Sequence, residues 1–297
     1  MRVTQSMLSN NMLRNLTTNY NKMGKLNEQL TSQKKVSRPS DDPVVAMRGL
    51  AYRTQVDKVE QYQRNLGEVN NWLDSSDDAL DKVGEALHRA KELATNISNS
   101  GSMTDGDREK IKVELDQLQQ QIRDIANTKV GDKYIFSGTK TGTALVTKDG
   151  FPTLSTDTGF VGEPTAFESD INIDVFDGVQ LNVNSKKAAA MFKKIDAMFD
   201  GFKGSTATFE NSIGDIDKMM DSVLEERADL GARQNRAELM NNRLESQVGI
   251  AKKQMSQNED VDIEKVITEL ITQESVSRAA LAAGARIIQP SLVDFLR

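Results

Sequence analysis

Cysteine is absent from this 297-residue chain, which excludes disulfides, thiol nucleophiles and thiolate metal sites together. Histidine occurs once, at His88, so no Ser-His-Asp arrangement can be assembled and no imidazole pair is there to hold a transition metal. Aromatics make up only 5% of residues, with Trp72 the sole tryptophan, which is too little for a large spherical core and points to elongated packing. No stretch approaches the ~18 consecutive apolar residues of a membrane span. The first sixteen residues carry Asn10, Asn11 and Asn15 where a signal peptide needs an apolar core, so export by a cleaved leader is not expected. Net charge is −6 and the pI about 5.1, with no basic run, so nucleic acid is not an expected partner.

What the chain has in quantity is helical periodicity. Apolar residues at Leu13, Leu16, Tyr20, Met23 and Leu30, with Asn27 filling the remaining position, form a three-four seam that predicts a helix over roughly residues 4–35. Pro39 and Pro43 then break the pattern and predict a hinge, with Asp42 capping the next helix and Pro43 in its first turn. From Val44 a nearly unbroken seam runs through Tyr52, Val56, Val59, Leu66, Val69, Leu73, Leu80, Val83, Leu87, Ala90, Ala94 and Ile97. A helix that long needs partners along its course. Two are available: a segment opened by a Thr104/Asp107 capping box and carrying Ile111, Leu115, Leu118, Ile122 and Ile125, and one beyond Ser185 running from Met191 through Ile195, Ile216 and Leu230 toward Leu244 and Val248.

Between residues 131 and 184 the period changes to two. Ile171, Ile173 and Val175 lead through Asp177-Gly178 to Val179, Leu181 and Val183, a hairpin signal. The last segment, after a polar stretch at 256–260, has Leu270, Leu281 and Leu292 eleven apart, flanked by Ile288, Phe295 and a small-residue cluster at 279–285 that permits close helix approach.

The expected fold is therefore mainly α: an elongated helical bundle made by the N- and C-terminal segments, with a small β-rich insert in the middle. The expected organisation is 1–43 (inner helical part with hinge), 44–131 and 185–255 (the two halves of a long-helix bundle), 132–184 (β-rich insert) and 256–297 (the returning inner part). The first helix is rich in Asn and Thr, both mediocre helix formers, and each terminal helix alone buries one stripe. Such ends are expected to order in a multi-subunit tube. The assembly surface is assigned to Leu13, Leu16, Tyr20, Met23, Leu30, Leu270, Leu281, Ile288, Leu292 and Phe295, and an inter-domain hinge or axial contact to Arg38, Pro39, Asp41, Asp42 and Pro43.

Other features carry blander readings. Gly138-Thr139-Lys140-Thr141-Gly142 lacks the closing Gly-Lys-Ser/Thr of a phosphate loop and reads as a turn. The carboxylates Asp41, Asp42, Asp77 and Asp78 read as caps and solvated faces, and Met7, Met12 and Met23 as adaptable packing. No catalytic, cofactor or metal residues are assigned, and an enzyme is not expected.

Several segments resemble the flagellin superfamily. Val36-Ser37-Arg38-Pro39-Ser40-Asp41-Asp42-Pro43 is similar to its N-terminal signature, Glu226-Arg227-Ala228-Asp229-Leu230-Gly231-Ala232-Arg233-Gln234-Asn235-Arg236 to its C-terminal one, and Val261-Asp262 with Ile267-Thr268-Glu269-Leu270 to the start of its last helix. Within the superfamily, Gly131-Asp132-Lys133-Tyr134-Ile135-Phe136-Ser137-Gly138 and the C-terminal Ser291-Leu292-Val293-Asp294-Phe295-Leu296-Arg297 resemble the branch that joins hook to filament. That resemblance implies a self-assembling ring of like subunits at the distal end of the hook. It would adjoin the first hook-associated protein and flagellin, and lie outside the cell after unfolded export with a cytoplasmic chaperone over the C-terminal helix. Filament flagellin and a cytoplasmic coiled-coil scaffold are the alternative readings.

Overall fold

The computed structural model describes residues 5–99, 104–148, 150–155, 165–202 and 208–288. Among these described residues, six helices and two short hairpins follow in the order α1 (Gln5–Ser32), α2 (Pro43–Asn99), α3 (Asp105–Ala126), β1 (Lys129–Val130), β2 (Lys133–Tyr134), β3 (Asn172–Phe176), β4 (Val179–Asn182), α4 (Ala188–Gly201), α5 (Thr208–Glu259) and α6 (Ile263–Ile288). The mainly helical class with a small β insert is as the periodicity indicates. Two compact units are formed, one from residues 1–58 and 247–297 and the other from 59–246.

Helix boundaries follow the local chemistry. Asp42 Oδ1 accepts from the backbone N–H of Val44 at 3.0 Å and of Val45 at 3.1 Å, and Pro43 opens α2 where its missing N–H costs nothing. Thr104 caps α3: its hydroxyl accepts from Asp107 N and donates to Asp107 Oδ2 at 2.6 Å. The Asp107 carboxylate is held below the usual carboxylate range, first by that hydroxyl and then by Lys110.

In the second unit, α2 buries Leu66, Leu73, Leu80 and Leu87 at seven-residue intervals, with Val69 and Val83 between them and Ala90 beyond. Helix α5 does the same with Ile216, Val223, Leu230, Ala237 and Leu244. Ion pairs flank these stripes: Arg227 grips Asp77 at 2.9 Å and also reaches Asp81, and Lys91 meets Asp217 at 2.6 Å. Thus Asp77, read from sequence as a solvated cap, is a partner of the long helix opposite.

The second half of the bundle departs from expectation. One continuous seam was expected from Met191 to Val248; instead α4 is a separate helix, ending at Gly201 with Phe202 as its C-cap. It packs on α3, where Arg123 holds Asp196 in a two-pronged contact and Gln119 donates to Asp196 and Asp200 at 2.8 and 3.1 Å. Phe192 is fully buried there, its ring centroid 5.0 Å from that of Phe136. Seven of the fourteen α4 residues are buried, so the helix is apolar on more than one face and belongs inside the unit.

The β3–β4 hairpin turns at Asp177-Gly178 with Gly178 at φ +72°, and pairs Ile173 with Leu181. A bulge between Asp174 and Phe176 turns Phe176 toward Tyr62, 6.1 Å away between centroids, and under the guanidinium of Arg243. Gly138 sits at φ +56°, and a Cβ there would stand 2.4 Å from the Ala166 carbonyl oxygen. The glycine-threonine run is therefore a packed turn, pinned by Thr139 N donating to that same oxygen at 2.9 Å. His88 is exposed on α2.

Candidate assembly interface

The first unit carries the terminal helices, and α1 packs against α6. Partners fall in number along α6 as they rise along α1: Met12 lies against Gly284, and Asn19 accepts from Gln273 Nε2 at 2.8 Å. The pair is therefore antiparallel.

The face that α1 gives to α6 differs from the face its apolar residues mark. The least exposed positions are Met12, Leu16, Asn19, Met23 and Leu26 on α1, and Val266, Leu270, Gln273, Ser277, Ala280 and Gly284 on α6. Those residues repeat at alternating intervals of three and four, so they form a two-helix seam. The sequence stripe of Leu13, Leu16, Tyr20, Met23 and Leu30 shares only part of it. Leu13 and Tyr20, expected in the seam, stand beside it at 59% and 53% exposure, while Asn19 at 6% takes the inner place.

On α6 the same split occurs. Leu270 is half-buried in the seam, but Leu281 is 47% exposed and Ile271 59%, with Ile267 and Val276 also open. Of the eleven-residue leucine repeat, Leu270 thus lies in the seam and Leu281 beside it, while Leu292 is outside the described residues. Ile288 ends α6, but its side chain lies outside the described residues, as do Leu292, Phe295 and the motif at 291–297.

The hinge is tied to the other end of this unit by a cluster that sequence reading missed. Gln33 leaves α1 at φ +56°, Lys34 bridges to Asp260, Lys35 N donates to Glu259 O at 2.7 Å, and Val261 N donates to Gln33 O at 3.1 Å. Asn258 reaches across to the Val45 carbonyl at 3.0 Å. At the centre lies Glu259, a buried carboxylate whose Oε2 accepts from Lys34 Nζ at 2.8 Å and Arg53 Nη2 at 2.7 Å. Its Oε1 has no partner among the described residues and rests against Gly49, where a Cβ would be 2.6 Å away. With Oε2 pinned by two cations the carboxylate cannot retreat, so Gly49 is needed for the approach. These residues are separated by more than two hundred positions, and no local pattern could have announced them.

Burial alone would push the Glu259 carboxyl up, but the hydrogen bonds and charges of Arg53 and Lys34 outweigh it, and the net effect holds it below the usual carboxylate range. A carboxyl lowered on folding adds stability above its unfolded value, and that stability is lost as pH falls through the folded one. Glu259→Gln is therefore expected to destabilise the first unit by about 1–2 kcal/mol at neutral pH, the low end of charged hydrogen bonds because Lys34 and Arg53 are more than a third exposed. It should also flatten the acid limb of the stability profile. Urea unfolding as a function of pH checks both, and an unchanged acid limb would contradict the assignment.

The five hinge residues are placed as follows. Asp41 accepts from Arg38 N at 3.3 Å and meets Lys25 at 3.4 Å; Asp42 caps α2; Pro43 starts it. Arg38 has its guanidinium largely in solvent, with Glu28 at 3.8 Å, and Pro39 lines a groove of about 260 Å³ with Val36, Val45, Leu50 and Arg53. Val44, Met47 and Leu50 leave a further exposed apolar strip on the first turns of α2.

The C-terminal signature segment serves the second unit. Glu226 accepts from the Ser185 hydroxyl, Arg233 donates to Asn184 O at 2.6 Å and Asn182 Oδ1 at 3.0 Å, and Gln234 donates to Asp74 at 3.0 Å. Together with Arg227, these residues fasten α5 to α2 and to the base of the hairpin.

Terminal helices paired in this way, with a proline-bracketed turn between α1 and α2 and those polar clasps in the second unit, define a class, and comparison with known families agrees. The chain belongs to the flagellin family: the bacterial flagellin N-terminal helical region matches residues 3–141 and the C-terminal helical region residues 213–296. Within the family it is similar to flagellar hook-associated protein 3 of Escherichia coli, with 26% identity over 94% of each chain. It is also similar to a flagellin of Bacillus subtilis, with 25% identity over 97% of each. Among solved structures, a putative flagellar hook-associated protein from Vibrio parahaemolyticus superposes with a TM-score of 0.61 at 26% identity, covering 74% of this chain and all of that one.

Proposed function

We propose that this chain is the structural subunit joining hook to filament in the bacterial flagellum, and that it assembles through α1 and α6. The observation that carries the mechanism is the mismatch between seam and stripe. Each terminal helix spends only one flank of its apolar surface on its partner within the chain, leaving Leu13, Tyr20, Ile271 and Leu281 open to solvent. Apolar side chains at several neighbouring helical positions are satisfied by a further layer of helices, and copies of the same pair in a tube supply that layer. The similarity to hook-associated protein 3 over nearly the whole length supports a position at the junction.

In this reading, segments 1–43 and 256–297 are the polymerising part, and neighbours in the assembly are further copies, the first hook-associated protein and flagellin. Leu292 and Phe295, which lie outside the described residues, are assigned to the same surface on their sequence pattern alone. Arg38, its guanidinium turned to solvent, serves as an axial contact between stacked subunits, while Asp41 and Asp42 hold the hinge. The role is structural, without catalysis, and the site is outside the cell after export with a chaperone that covers the C-terminal helix. Similarity to Bacillus subtilis flagellin along 97% of the chain supports the second reading, filament flagellin. Labelling the protein on isolated flagella separates the two. Signal confined to the outer end of the hook is expected; signal along the whole filament would overturn the junction reading in favour of flagellin.

A further inference from the structure

The α1–α6 seam is an odd choice of face. It encloses Asn19, Gln273, Ser277, Ala280 and Gly284, although a modest rotation of either helix would bury Leu13, Tyr20, Ile271 or Leu281 instead. Apolar burial alone does not select the observed pairing. The backbone contacts of residues 33–35 with 259–261 hold the hinge end of the pair, and the choice of face and the alignment beyond that end call for an element within the seam.

We infer that the Asn19–Gln273 hydrogen bond, with Met12 seated on Gly284, is a register key that makes α1 and α6 of one chain pair in a single alignment. Asn19 is buried, and its Oδ1 accepts from Gln273 Nε2 at 2.8 Å. Sliding α1 by one heptad in either direction would place Asn19 opposite Val266 and Leu270, or opposite Ala280 and Gly284, none of which has a side chain that donates or accepts. Gln273 would be stranded in the same way. An unpartnered buried amide is costly, whereas a matched one is nearly neutral, so the pair penalises wrong alignments more than it stabilises the right one. One polar residue at a seam position sets register in coiled coils for this reason.

Gly284 marks a second point of the same alignment. A Cβ at that position would lie 1.7 Å from the Met12 methyl carbon, the flexible end of its side chain, so the contact reports this alignment more than it enforces it. Seven residues separate Met12 from Asn19, and eleven separate Gln273 from Gly284, which fixes two points along the pair. The consequence for assembly is specificity. Helices with greasy stripes on the outside could pair with those of a neighbour in many ways; the key reserves one face for the chain itself and leaves the stripes for other copies.

The absence of cysteine makes the test direct, because an introduced pair is the only thiol pair in the chain. Counting fourteen residues along both helices from the Met12–Gly284 contact sets Leu270 opposite Leu26; a one-heptad slip sets Ser277 there instead. In otherwise unaltered full-length protein, Leu26→Cys with Leu270→Cys is expected to cross-link on mild oxidation and Leu26→Cys with Ser277→Cys to stay at background. Adding Asn19→Leu and Gln273→Leu should keep the helical circular dichroism and raise the slipped cross-link several-fold above background, although the contacts at residues 33–35 and 259–261 remain. The exchange Asn19→Gln with Gln273→Asn, which keeps a donor and an acceptor in the seam, should restore the preference. A slipped cross-link that stays at background in the double-leucine protein, or that forms equally without it, would overturn the inference. The readout uses purified chain and rests on the α1–α6 contact, so its outcome is independent of where flagellar labelling places the protein.

Discussion

A chain carrying both Leu13→Asp and Ile271→Asp is expected to remain helical and monomeric in solution yet fail to enter flagella. Both side chains are more than half exposed in the free molecule, so a carboxylate at either position stays hydrated and α1–α6 packing is undisturbed. In an assembly that covers these positions the situation inverts. Each large aliphatic side chain then contributes about 1.5–3 kcal/mol by leaving water, and a carboxylate in its place brings a desolvation cost as well. Losing both contributions alone weakens each subunit contact by roughly 3–6 kcal/mol, a factor of about 10² to 10⁴ in association. Complementation of a deletion strain, scored by filaments attached per cell, measures this in place, and circular dichroism of the purified variant is the control. Normal filament attachment would mean these stripes are not the polymerising surface.

The second large effect is expected in the other unit. Phe192→Ala removes a fully buried ring from between α3 and α4, where it meets Phe136 at a tilted 60°. Such a truncation costs about 3–5 kcal/mol, from lost transfer energy and the cavity left behind. Nothing near it can close the gap easily, because Arg123 and Gln119 fix α4 to α3 through Asp196 and Asp200. The urea midpoint should fall with the slope unchanged. A loss below about 1 kcal/mol would mean that α4 is peripheral to that unit's core. This substitution and the double aspartate differ in kind: one lowers stability without touching the terminal helices, the other spares stability and removes assembly.

How far sequence could be read differs between elements for physical reasons. The start of α2 was legible because capping is local: Asp42 accepts from N–H groups within three residues and Pro43 opens the helix. The Asp177-Gly178 hairpin was legible because a turn needing positive φ names its own residues. The family resemblance rested on those same local segments. The split between α4 and α5 was missed, since apolar residues continue in helical spacing from Phe199 to Ile213 while the chain leaves the helix after Gly201. Apolar periodicity reports which side of a helix is greasy and says little about where a chain must turn.

For the assembly surface, the sequence marks an apolar stripe along α1, but the face that α1 turns to α6 was not legible. Leu13 and Tyr20 lie one helical position round from Met12 and Asn19, and a reading by hydrophobicity chooses the greasier pair. The structure uses the other because Asn19 meets Gln273, a match 254 residues away. The same holds for Glu259 between Lys34 and Arg53, and for Arg227 on Asp77: each residue alone reads as an ordinary charge on a solvated face. Polar residues in this chain specify alignment, and their partners are fixed only once the chain has folded back on itself.

The central claim is that the outer flanks of α1 and α6 are open in the free chain and covered in the assembled one. Single cysteines at Tyr20 and at Ile271, the only thiols in their respective proteins, report this by their rate of modification with a maleimide. Fast labelling of purified protein and strong protection in isolated flagella is the predicted result. Equal labelling in both states, or protection already complete in the purified chain, would contradict it.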